Sequence, residues 1–195
     1  MRATIAIVRR HIDRRFALDF AMQFALVAAI GWIFAYAFAA PLVCVVACGA
    51  LAAASAAERE HAAGLRRVSF FAMPLYGRQL ARAHAIAPVV SALSIPFGYV
   101  VGSTIRGATP PAITIVALVL ATIVAALVSL SSVFRDGIRA VLYVVLGLGA
   151  AATIAFPLVA FPAHALPIAC AIAIVEGFLA LRAFGETLAR YDPVL

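Results

Sequence analysis

The chain contains no lysine, and all fifteen of its basic residues are arginine. That excludes Schiff-base chemistry, a lysine-linked cofactor and any G-x-x-x-x-G-K-[ST] nucleotide loop, so any ATP use must sit on another chain. Charge is scarce, at 12% of 195 residues. Cysteine is scarcer: Cys44, Cys48 and Cys170 lie in apolar segments without a neighbouring His or carboxylate, which excludes a metal site and a disulfide framework and leaves them as small packing residues. The chain has no H-E-x-x-H and no G-x-S-x-G, and its four histidines are scattered. Gly147-x-Gly149 does not follow a strand and is no phosphate loop. Asp136-Gly137 lacks the further acidic residues that would hold a metal and reads as a turn after Arg135. We therefore expect no enzyme activity, no catalytic residue, and no cofactor or metal on this chain.

What is present is hydrophobic. Two thirds of the residues are apolar and the mean hydropathy is +1.12, more than a soluble domain of this size hides from water. A bilayer core of roughly 30 Å takes about 20 apolar residues per helix. On that measure, spans are predicted at Phe16 to Phe38, Pro41 to Ala57, His84 to Ser103, Pro111 to Val133, Ile138 to Phe161 and Ala165 to Ala183. Residues 1–15 set Ile5, Val8, Ile12 and Phe16 opposite Arg2, Arg9, Arg10, Asp13 and Arg14, the pattern of an amphipathic helix on the membrane surface. Its Arg-rich start and the tail Ala37-Phe38-Ala39 imitate a signal peptide, but the apolar region is too long and more membrane follows. The fold expected is all-α: one polytopic membrane domain over 1–195, with six transmembrane helices, an N-terminal interfacial helix and one long loop.

Arginine placement gives the orientation. Five stand in the N-terminal segment, five between Glu58 and Ala83, two at Arg135 and Arg139 and two at Arg182 and Arg190, against Arg106 alone on the other side. By the positive-inside rule both termini and the long loop face the cytoplasm. Trp32, Tyr36 and Tyr99 fall near predicted outer ends and Tyr143 near an inner one, as an aromatic belt would. The basic pI accompanies apolar spans, so its partner is anionic lipid and not nucleic acid.

The loop from Glu58 to Ala83 is much longer than the other connections. Pro74 suits the first position of a short helix, and Arg78 and Arg82, four apart, form one basic edge. Two readings stand side by side. One is a docking element that transmits force from a cytoplasmic partner; the other is an interfacial helix that anchors the loop by burying Phe70, Phe71 and Leu75 while its arginines reach lipid phosphates.

The run Glu58-Arg59-Glu60, then Gly64-Leu65, the hydrophobic patch Phe70 to Met73, Pro74, and Arg78-Gln79-Leu80-Ala81-Arg82-Ala83 leading into the third span together resemble type-2 ABC transporter permeases, within which the haem-exporter subunit has a similarly small plan. The surface helix and the six-span arrangement match as well, so the resemblance covers most of the chain. It implies an exporter permease in the bacterial cytoplasmic membrane that pairs with a second copy or a homologous permease. It also implies a coupling surface at Glu58, Arg59, Glu60, Gly64, Pro74, Arg78, Gln79 and Arg82 for ABC-type ATPase subunits, which would carry ATP and Mg. Where relatives often have a longer outer segment before the sixth span, this chain has Ala160 to Pro167. Two other functions fit six spans: the substrate-binding membrane component of an energy-coupling importer, and a structural subunit of a larger membrane complex. The long basic loop on the arginine-rich side speaks against the first.

Within the spans, Glu176 stands out, because a carboxylate there costs roughly 2.5 to 3.5 kcal/mol on insertion scales. It either lines a pathway or dimer seam, or pairs structurally with an arginine such as Arg139. Asp19 has Arg15 one turn before it as a neutralising neighbour. Gly98 and Gly102 form a small-x-x-x-small pair that permits close helix packing. Gln23, Ser91, Ser94, Thr122, Ser129 and Ser132 suit either an amphipathic cargo or helix–helix hydrogen bonds.

Overall fold

Long runs of Ala, Val, Leu and Ile give the backbone no polar side chain to lean on, and the α-helix satisfies its N–H and C=O groups within one segment. The structure, a computed structural model, describes residues 14–37, 40–63, 77–130 and 138–190; the side chains of 15, 59–63, 77–83, 138–140 and 188–190 lie outside that description. The helices are α1 (Arg14–Ile33), α2 (Pro41–Ala63), α3 (Gly77–Ala92), α4 (Ser94–Ile105), α5 (Ala112–Leu130), α6 (Ile138–Ala160) and α7 (Ala165–Arg190), the last preceded by a single 3-10 turn at Pro162–His164. Among the described residues there is no strand.

Taken with α3 and α4 as one span, His84–Ile105, the described residues hold six helices long and apolar enough to cross a membrane. The predicted spans are thus present, with differences at their ends and one break. The first ends at Ile33 instead of Phe38, and the second and last helices run on to Ala63 and Arg190, past Ala57 and Ala183. The third is broken at Leu93. Pro96 has no N–H to give the Ala92 carbonyl, and the Ser94 hydroxyl donates to the Ser91 carbonyl at 2.7 Å, drawing it out of the ladder. The helical hydrogen bonds Leu93 N–H to Val89 O (3.1 Å) and Phe97 N–H to Leu93 O (3.3 Å) persist on either side, so the break does not unwind the span. The interfacial helix expected over residues 1–15 lies outside the described residues but for the start of α1.

The connection after α4 is made by Gly107, whose φ of +83° is one that L residues rarely adopt. Gly107 N–H bonds Thr104 O and Ala108 N–H bonds Ser103 O, both at 2.9 Å, the paired bonds of a Schellman C-terminus.

At the centre α2, α5 and α6 pack on one another, with α7 against α5 and α6 and α3 against α7, α2 and α5. The seams are alanine: Ala52, Ala53, Ala56, Ala121, Ala125, Ala151 and Ala155 are fully buried. A Cβ on Gly49 would collide with that of Ala151, and one on Gly147 would come within 3.0 Å of the Ala125 carbonyl oxygen. In an apolar solvent no hydrophobic force gathers helices, so close van der Waals approach at small residues must do it. Helix α1 stands apart, packed chiefly on α4.

Candidate functional site

Because each span reverses direction, the end of α2, the start of α3, the start of α6 and the end of α7 share one side of the bundle with Arg14, and Arg106 stands on the other. On the arginine-rich side α2 continues from the end of its apolar window at Glu58 to Ala63, and α3 begins at Gly77, before its window opens at His84. The two helices touch. Their projecting ends therefore form a pair of charged helical stubs. Glu58 is exposed on α2. Arg59 and Glu60 follow on the same helix, and Arg78, Gln79 and Arg82 occupy the first turns of α3; the side chains of these five lie outside the described residues, as do Gly64 and Pro74 altogether. The structure thus places two of the sequence-predicted segments, Glu58-Arg59-Glu60 and Arg78 to Arg82, on two helices that touch, at the ends that share one side of the bundle. Nearby on α7, Arg182 donates to Glu186 at 3.0 Å across one exposed turn, a pair that contributes little in water.

Mid-span, Glu176 on α7 meets Thr153 on α6, with 2.6 Å between Oε1 and the hydroxyl oxygen. The Thr153 hydroxyl is also 2.8 Å from the carbonyl oxygen of Ala150. The second carboxyl oxygen, Oε2, is buried with no hydrogen-bond partner among the described residues. The partner is thus a hydroxyl and not Arg139: fourteen residues separate Arg139 from Thr153 along α6, about 21 Å at 1.5 Å per residue. Hydropathy does not disclose this partner, because Thr153 is inconspicuous in an apolar run.

The polar residues of the spans divide by what they touch. Ser94 and Ser129 donate to carbonyls of their own helix at 2.7 and 2.9 Å, and Ser103, which the sequence reading passed over, does the same to Tyr99 O at 2.8 Å. Ser91 reaches Gln23 Oε1 on α1 at 3.5 Å, the long limit of a hydrogen bond. Thr122 is fully buried and its hydroxyl has no partner among the described residues. Ser132 lies outside them. Three of these hydroxyls, those of Ser94, Ser103 and Ser129, therefore serve their own helix.

Tyr99 departs from the sequence reading. It is buried, not part of an interfacial belt, and its side chain is hydrogen-bonded with that of Cys44 on α2, whose thiol donates to Pro41 O at 3.3 Å. Trp32 and Tyr36 are exposed as a belt requires, and the Arg106 guanidinium lies over the Trp32 ring, 5.2 Å from its centroid. Asp19 is exposed on α1, and the Arg15 side chain expected to neutralise it lies outside the described residues. Cys44 and Cys48 are buried and Cys170 partly so, all free thiols. Among the described residues no group of His, Cys, Asp and Glu is arranged to hold a metal ion.

The glycine pair of α4 is a packing site. A Cβ on Gly98 would stand 2.7 Å from the Phe24 carbonyl oxygen, one on Gly102 would collide with the Ala28 carbonyl, and one on Gly31 would stand 2.8 Å from Tyr99 O. Backbone meets backbone along the α1–α4 seam.

These features define an integral membrane protein of six apolar helices. Comparison with protein-family models, with curated proteins and with solved structures finds no match.

Proposed function

We propose that the chain is the membrane-spanning permease subunit of an ATP-driven ABC exporter in the bacterial cytoplasmic membrane, with both termini in the cytoplasm. It forms the translocation path as a dimer with a second copy or a homologous permease. Separate ATPase subunits dock on it and hold the ATP and Mg. The observation that supports this reading is the pair of helix ends projecting beyond their apolar windows on the arginine-rich side, α2 through Glu58 to Ala63 and α3 from Gly77 through Arg82. A stub that continues a membrane helix without interruption is a lever: a push on its end is carried into the span by the helical ladder. In α3 that push reaches the break at Leu93 after about 16 residues, roughly 24 Å along the axis. Closure of the ATPase subunits on nucleotide would draw the α2–α3 ends together and bias the spans between inward- and outward-open states. The chain itself contributes no catalytic residue.

Affinity purification of the tagged chain from its native host in mild detergent, followed by mass spectrometry, tests the reading. An ABC-type ATPase subunit is expected, lost in an Arg78→Glu, Arg82→Glu double variant that retains its bilayer insertion. Recovery of other membrane subunits with no ATPase overturns it and favours a structural subunit of a larger membrane complex.

A further inference from the structure

The one carboxyl group well inside a span is placed against a hydroxyl whose hydrogen cannot serve both of its neighbours. Thr153 has a single O–H, and two acceptors are within reach: Ala150 O at 2.8 Å and Glu176 Oε1 at 2.6 Å. With a carboxylate at 176, the hydroxyl gives its one hydrogen to Oε1 only by withholding it from Ala150 O, and the negative charge is left with Oε2 buried and unbonded among the described residues. With a carboxylic acid each hydrogen has its own acceptor: Oε1–H donates to Thr153 Oγ1 and Thr153 donates to Ala150 O, and the oxygen left unbonded, Oε2, is then a neutral carbonyl. The 2.6 Å separation is in the range of O–H to oxygen bonds.

Among the described residues no cation is positioned to hold a carboxylate there. Helix α7 packs on α3, α5, α6 and the 3-10 turn. Helix α5 carries no titratable residue from Ala112 to Leu130. On α6 these residues are Arg139, about 21 Å along the axis from Thr153, and Tyr143, about 15 Å from it. On α3 they are Arg78, Arg82 and His84, at the arginine-rich end of its span, and on the 3-10 turn His164, at the opposite end of the bundle. On α7 itself Cys170 is a thiol, Arg182 is engaged by Glu186, and Glu186 and Arg190 lie beyond it. The surroundings are apolar and open outward: Thr153 is exposed, as are Phe156, Ile174, Val175 and Phe178.

We infer that Glu176 and Thr153 form a proton-binding site in the middle of the bilayer, at the outward-facing α6–α7 seam, in which the carboxyl carries the proton and the threonine hydroxyl accepts its hydrogen bond. The site does not depend on the transport role proposed above. It holds a proton without an arginine or a metal, and it can be reached from the lipid.

Dicyclohexylcarbodiimide, an apolar reagent, reads this state directly. The acid proton passes to a nitrogen of the reagent, the carboxyl oxygen bonds its central carbon, and the acyl group then migrates to nitrogen, so the adduct keeps the whole reagent and no group leaves. The full chain is treated in lipid nanodiscs and the adducts are located by peptide mass spectrometry. Glu176 is expected to be modified several-fold more than Glu58 and Glu186, with the yield falling as the pH is raised, while a water-soluble carbodiimide reverses the order. Infrared spectra of the untreated protein are expected to show the carbonyl band of an un-ionised carboxyl, lost in Glu176→Gln and shifted in Thr153→Val. Modification of Glu176 no greater than that of Glu58 and Glu186 at any pH overturns the inference. The labelling uses the wild-type chain alone, so a variant that does not fold leaves the result decisive.

Discussion

Two regions of this bundle are held by small residues, and they are built differently. In the α2–α5–α6 centre, alanine and glycine from three helices interlock, and each helix has two or more partners. In the α1–α4 arm, Gly98 and Gly102 let one helix rest on the backbone of another that has little else to hold it. The exposure differs accordingly: 56% of the α5 span is buried, against 11% of the α1 span. Shared support makes the centre a single unit, whereas the arm depends on one seam. A defect should therefore spread through the first region and stay local in the second.

The largest effect should come from Gly49→Leu, because its side chain must enter space occupied by Ala151 with Ala125 behind it. Neither alanine has a flexible end to move, and overpacking of this kind costs about 1 to 3 kcal/mol or more. With three helices forced apart, the expected result is loss of monodisperse protein in size-exclusion chromatography. Gly149→Leu on α6, which meets nothing within 4 Å, is the control and should behave as wild type. If the two variants behave alike, the centre does not depend on close approach.

Gly102→Leu should be costly at the seam yet confined to it. The new side chain meets the Ala28 backbone and the Trp32 amide, so α1 is displaced from α4. Disulfide crosslinking between cysteines introduced on α1 and α4 is expected to disappear while the thermal transition of the remaining bundle persists. A simultaneous collapse of both would show that the arm is part of the centre after all.

Trp32→Ala should have the smallest effect. An exposed cation–π contact contributes about 0.5 to 1 kcal/mol, and its loss should loosen only the end of the arm. Faster amide exchange limited to the last turn of α1 is the expected readout, and protection lost across α4 would overturn that assignment.

The comparison also marks what could be read from residues alone. Six spans were legible because an apolar stretch of membrane length has few alternatives, and the small-residue spacing of Gly98 and Gly102 announced a close helix contact. The helix on the other side of that contact was not legible, since Gly31 and Ala28 look like any small residues in an apolar run and their pairing is a matter of tertiary geometry. The break at Leu93 had signals in Pro88 and Pro96, but hydropathy averages over them. Tyr99 was misplaced because distance from a span end says nothing about which way a ring faces, and here the ring is buried beside a thiol of α2. Glu176 was recognised as exceptional from its cost, and its partner was missed because a threonine hydroxyl carries no charge to search for. The loop residues Gly64 and Pro74 lie outside the described residues, and the coupling role of the α2–α3 ends remains a proposal for the purification experiment.

The dependence of α1 on α4 has a consequence for synthesis. About 60 residues lie between the end of α1 and the start of α4, and at roughly 5 to 20 residues per second the ribosome needs about 3 to 12 seconds to cover them. During that interval α1 is complete and moves out of the ribosome, while the helix that will hold it has not been made. It must wait in the insertion machinery or as a single helix in lipid, displaying the groove at Ala28 and Gly31 to any other small-residue surface nearby. The arm is thus the part of the bundle whose correct docking depends on timing as well as on fit.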